Sequence, residues 1–117
     1  MYQFNFVRPK SLADAEALLA QADDPKLLAG GQTLIPTLKQ RLAMPSDLID
    51  IGSLKELAFI RAEGDAIMIG AGTKHFDVAD SEDVKKHNPA LAKLAGMIGD
   101  PAVRHMGTLG GSIANND

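Results

Sequence analysis

Two glycine-paired stretches constrain this chain more than any other feature: Ala29-Gly30-Gly31-Gln32-Thr33-Leu34-Ile35-Pro36 and Gly107-Thr108-Leu109-Gly110-Gly111-Ser112-Ile113-Ala114-Asn115. Paired glycines mark places where a side chain would block close approach to the backbone. The first stretch follows a strand-like run, Lys26-Leu27-Leu28-Ala29, and precedes a helical pattern. That arrangement presents free N–H groups and the positive end of a helix dipole to an anion. Two such segments in 117 residues point to a ligand with two phosphates, held from two sides. A pair of tight turns is the plainer reading of the same residues.

The first segment is not a P-loop, because the Gly-Lys-Ser/Thr ending is missing. Gly70-Ala71-Gly72-Thr73-Lys74-His75 starts like a dinucleotide fingerprint but has His75 at the third glycine, with no βαβ unit around it. It reads as a strand-end turn with Thr73 as a cap.

Ahead of the first glycine pair, Phe4 and Phe6 alternate with Gln3 and Asn5 as a short half-buried strand does. Ser11 caps a helix with Asp14 three residues on, and Leu12, Ala15, Leu19 and Ala22 share one face. After the pair, Thr33 caps a second helix with Pro36 in its first turn and Leu34, Leu38 and Leu42 on one side, ending at Met44-Pro45. Leu48-Ile49-Asp50-Ile51 closes a βαβαβ lobe over residues 1–52, with parallel strands expected.

Residues 53–117 read as the first part of a second, α+β lobe. Leu57–Ala62 and Ala66–Ala71 form a hairpin around Glu63-Gly64-Asp65. His75–Asp80 is a short helix. Pro89–Ile98 is a second one, with Leu91, Leu94, Ala95 and Ile98 on its face and Gly99 as its C-terminal cap. Asp100-Pro101 opens the second glycine segment. The chain stops while that segment is still being built, so it reads as part of a longer protein.

Composition excludes several functions. A net charge of −3 with no Lys/Arg run and no aromatic platform argues against nucleic acid. No apolar run approaches a membrane span, and no signal peptide opens the chain, so a cytoplasmic location is the default. The chain has no cysteine, which removes thiol nucleophiles and cysteine-ligated iron–sulfur centres. His75, His87 and His105 have no metal-site spacing. His75 and His105 read as exposed loop residues, and Arg104 as a surface ion-pair partner. No catalytic side chain stands out.

Taken together, the two glycine segments resemble the flavin-contacting segments of the FAD-binding medium subunit of molybdenum hydroxylases, the carbon monoxide dehydrogenase and xanthine dehydrogenase family. Ala29–Pro36 is similar to the first, and Asp100–Asn115 to the second. The strand-to-helix opening around Phe6, Pro9 and Ser11 is similar too. The resemblance implies an FAD-binding fold of the vanillyl-alcohol oxidase type, with FAD between a small α/β lobe and a larger α+β lobe. It implies FAD contacts from Ala29, Gly30, Gly31, Gln32, Thr33 and Leu34, and from Thr108, Gly110, Gly111, Ser112 and Asn115. Ser112 stands where the family commonly has Asn, which shortens the reach of that side chain.

The resemblance further implies an electron-transfer subunit of an oxidoreductase complex. Its partners would be an iron–sulfur subunit and a molybdopterin subunit, and a chain of this extent would be inactive alone. A non-redox nucleotide- or phosphate-binding module remains compatible with the loops, as does a stand-alone FAD oxidase of the same fold.

Overall fold

In a computed structural model, residues 1–116 are described; Asp117, the last residue of the expected second lobe, lies outside the described residues. The Cα framework divides into two compact units, Met1–Glu56 and a second beginning at Leu57.

The first unit is built on a three-stranded parallel sheet. Its strands are β1 (Asn5–Val7), β2 (Pro25–Leu28) and β3 (Asp47–Asp50), in the order β1-β3-β2. Phe6 aligns with Leu48, and Leu27 with Ile49. Leu48 and Ile49 are buried because β3 is central and apolar; with Ala15, Leu38 and Leu54 they form the unit's core. Phe6 is half exposed, contrary to the alternation reading, and the Arg8 guanidinium lies 5.6 Å from its ring centroid. The edge position of β1 leaves that ring only partly covered.

Helix α1 (Leu12–Gln21) starts as the sequence predicts, with Ser11 Oγ accepting the Asp14 amide. Its inward face is Ala15, Leu18 and Ala22, because Leu12 and Leu19 are exposed. Helix α2 (Leu34–Lys39) is short. Thr33 takes the N-cap position without a side-chain bond, and its carbonyl instead accepts the Thr37 amide and hydroxyl. The helix stops well before Met44-Pro45. Arg41 turns into the left-handed region at φ 57°, and Leu42 swings out to solvent.

The second unit holds the antiparallel hairpin β4 (Ile60–Glu63) and β5 (Ala66–Ile69), with Gly64 at φ 58° in the turn. Helices α3 (His75–Asp80), α4 (Glu82–His87) and α5 (Pro89–Met97) pack with it around Val78, Val84, Ala92 and Ala95. Helix α4, capped by Ser81, was not anticipated from the sequence. On α5, Ala92 faces inward in place of the expected Leu94, which is exposed. Gly99 ends this helix at φ 54°, as its C-terminal glycine implies. Asp100 caps a further turn, α6 (Pro101–Arg104), and Thr108 caps α7 (Leu109–Asn115). The second glycine segment is therefore the start of a helix rather than an open loop.

Candidate functional site

The first glycine segment leaves the carboxyl end of β2, the edge of a parallel sheet where open α/β folds bind ligands. Gly31 adopts φ 76°, a conformation that favours glycine. A Cβ there would stand 2.5 Å from Ile35 Cδ1 and 3.3 Å from Leu28 Cδ1. The missing side chain thus makes room for the unit's own apolar groups. The Gly31 carbonyl accepts the Ile35 amide, and Gln32 Nε2 reaches the Gly30 carbonyl at 3.5 Å.

The amides of Gly30, Gly31, Gln32 and Thr33 find no acceptor among the described residues. Gln32 and Thr33 are exposed, while Ala29, Gly30, Gly31 and Leu34 are half-buried. Four successive N–H groups without an acceptor among the described residues are the kind of donor set that can take an anion. The adjoining wall is held by Asp50 at the end of β3. Its Oδ1 accepts the Gly52 amide at 2.9 Å and its Oδ2 accepts Arg8 Nε at 2.9 Å. A Cβ on Gly52 would approach the Ala29 carbonyl to 3.4 Å.

The second glycine segment is arranged differently. Leu109 donates its amide to the Thr73 carbonyl, Gly110 to the Ala71 carbonyl, Gly111 to Thr108 Oγ1, and Ser112 to the Thr108 carbonyl. All four amides are thus spent inside the unit. A Cβ on Gly110 would stand 2.7 Å from both the Cβ and the carbonyl oxygen of Ala71. Gly70-Ala71-Gly72 is a strand-end turn, and its function is to receive this helix start. Thr73 is not a helix cap: Lys74 holds that position, and buried Thr73 Oγ1 bonds both the amide and the carbonyl of Phe59 at 3.1 Å. Apart from the buried Thr108 amide, what the segment retains for an outside partner is side-chain chemistry, above all the half-buried Ser112 hydroxyl. Asn115 is exposed in the last turn of α7.

His75 corrects an expectation. It is 2% exposed, not a surface loop residue, and its Nε2 lies 3.1 Å from Ser112 Oγ. Its Nδ1 is buried without a partner. Burial lowers its pKa below the ordinary 6.5 by desolvating the charged form. A proton on Nδ1 would bury an unpaired N–H, which costs about 1–3 kcal/mol. The hydrogen-bond network therefore assigns the proton to Nε2, donating to Ser112. The spacing His75, Val78, Ala79 was the missed signal: at i, i+3 and i+4 the histidine shares the core face of α3.

Arg104 and His105 also differ from expectation. Arg104 Nη1 donates to the carbonyls of Ile98 and Gly99 rather than to an acid, securing the end of α5. His105 is exposed but ordered: its ring stacks on Phe76 at 4.1 Å between centroids, and its Nδ1 lies 2.6 Å from the Pro101 carbonyl. Among the described residues no group of acids and histidines could hold a metal ion, and no helix is long and apolar enough to cross a membrane.

This fold and its two glycine segments belong to a known class. Residues 2–117 match the family described as the FAD binding domain in molybdopterin dehydrogenase, and the chain is a member of that family. It is an α+β FAD-binding domain of the medium-subunit type. Among its relatives is the carbon monoxide dehydrogenase medium chain of Hydrogenophaga pseudoflava, 47% identical over 97% of this chain and 40% of the relative. The glyceraldehyde dehydrogenase medium chain of Sulfolobus acidocaldarius is 40% identical over 98% of this chain and 41% of that protein. A solved structure of the Hydrogenophaga pseudoflava carbon monoxide dehydrogenase, lacking the Mo-pyranopterin moiety of its cofactor, superposes with a TM-score of 0.95 at 47% identity. That match covers 99% of this chain and 41% of the solved one. The chain thus spans about two-fifths of the length of the relatives it matches.

Proposed function

We propose that this chain binds FAD within the medium subunit of a molybdenum hydroxylase and relays electrons through it. The observation that carries the reading is the run of unpaired amides at Gly30, Gly31, Gln32 and Thr33, placed at the carboxyl edge of the parallel sheet. These donors fit a phosphate of FAD. Ala29 and Leu34 flank the array, and Asp50 with Arg8 braces the adjoining turn.

The second segment serves the same ligand through side chains. Its spent amides leave the Ser112 hydroxyl as donor. Thr108, Gly110 and Gly111 hold that helix start in place, and Asn115 completes the expected contact set. Bound FAD supplies the redox chemistry; the protein binds and orients it.

In the assembled enzyme, electrons would arrive from iron–sulfur clusters on a partner subunit, originate at a molybdopterin subunit, and leave to an external acceptor in the cytoplasm. The absence of cysteine from this chain supports the placement of the clusters on a partner. Relatives named for carbon monoxide and glyceraldehyde dehydrogenases carry the same domain, which supports a substrate site outside it.

The test is an FAD titration followed by flavin fluorescence, with ADP as competitor. Saturable binding displaced only weakly by ADP is the expected result. Equal affinity for ADP would favour a non-redox nucleotide module, and no flavin binding by the protein with its neighbouring subunits would overturn the reading.

A further inference from the structure

We propose that His75 is a positioning residue for flavin binding: by donating Nε2–H to Ser112 Oγ, it turns the serine's own proton outward, toward an oxygen of bound FAD. The inference rests on the FAD reading above and extends it to a residue buried beneath the site.

Three observations carry it. First, the His75 Nδ1 is buried and unpartnered, so the proton sits on Nε2, the nitrogen 3.1 Å from Ser112 Oγ. Gly107 packs against that same edge of the ring, since a Cβ there would come within 3.1 Å of His75 Cδ2 and 3.4 Å of Nε2. Second, a serine hydroxyl has one proton and two lone pairs. With one lone pair engaged by the imidazole, its proton has no acceptor among the described residues. Third, every amide from Leu109 to Ser112 is already bonded inside the unit. Within Leu109–Ser112 the serine proton is therefore the donor left to offer, and Ser112 is only half-buried, whereas Thr108 is buried. A hydroxyl free to rotate would spend part of its time pointing its proton back at the ring. The imidazole removes that alternative, which is preorganisation of a ligand contact.

The test combines two readouts. Nitrogen-15 NMR of the imidazole in the flavin-free protein reports the tautomer directly, and protonation at Nε2 with a bare Nδ1 is expected. FAD affinity of variants then reports the consequence. Ser112→Ala is expected to weaken FAD by about tenfold, the worth of one hydrogen bond to a charged acceptor. His75→Leu should weaken it comparably, and the double variant no more than Ser112→Ala alone. His75→Gln, which keeps a donor near the Nε2 position, should restore most of the affinity. A proton found on Nδ1 overturns the proposal whatever the variants do. So does a His75→Leu loss that persists undiminished in the Ser112→Ala background, or a Ser112→Ala protein that binds FAD like the parent. Should the parent itself bind no FAD, the FAD reading falls first and the parent titration identifies that failure.

Discussion

Gly110 donates its amide to the Ala71 carbonyl at 2.8 Å, in a contact so close that a Cβ on Gly110 would stand 2.7 Å from that same oxygen. Two glycine-containing segments far apart in sequence, 70–75 and 107–112, are thereby locked edge to edge. The Lys74–Thr108 bridge and the His75 amide bond to the Gly107 carbonyl continue the seam.

Gly110→Ala should consequently destabilise the second unit despite alanine's better helix propensity. Backbone displacement of this kind typically costs about 1–3 kcal/mol. Gly111→Ala, whose Cβ would meet only Thr108 Oγ1 at 2.9 Å, should cost less. Thermal melting of the two variants side by side checks the order.

Gly31→Val should lower stability as well as flavin affinity. The positive φ of 76° and the 2.5 Å approach to Ile35 Cδ1 both oppose a β-branched residue, and the left-handed conformation alone costs roughly 1–2 kcal/mol. The packing of Ile35 and Leu28 around Gly31 thus opposes the valine in the fold itself, independently of any ligand. A normal melting temperature for Gly31→Val would refute the prediction.

Stability should depend on pH through His75. Its folded pKa is lowered from 6.5 by burial, so between that lowered value and 6.5 the unfolded chain binds more protons than the folded one. Stability therefore rises with pH across this window and is lost as pH falls below 6.5. Denaturant melts at several pH values should show a shallower acid-side slope for His75→Leu than for the parent.

Thr73→Val should be costly. It removes a buried hydroxyl that serves both the amide and the carbonyl of Phe59 and strands polar backbone groups, at about 1–3 kcal/mol. Urea titration is the measurement, and a loss below that of an exposed threonine such as Thr33→Val would disprove the bridging role.

The sequence was most informative where local chemistry decides structure. Ser11, Gly64 and Gly99 each announced a cap or turn that forms, and the parallel βαβαβ pattern predicted the first sheet. Periodicity misjudged faces by a position or two: Leu18 rather than Leu19 on α1, Ala92 rather than Leu94 on α5.

The candidate site was legible as two glycine segments, but not as two different devices. Only the tertiary pairing with Ala71 and Thr73 distinguishes the bonded amides of Leu109–Ser112 from the open ones of Gly30–Thr33. The burial of His75 depends on the same pairing.

The strand order β1-β3-β2 also bears on how this chain is born. β1 and β2 each pair with β3 and not with each other. A nascent polypeptide that has emerged only as far as Ser46 therefore carries both outer strands and no ladder to join. Until Asp47–Asp50 clears the ribosome, the turn after Leu28 has no sheet behind it, so its open amides can be organised only in a chain long enough to supply its centre last.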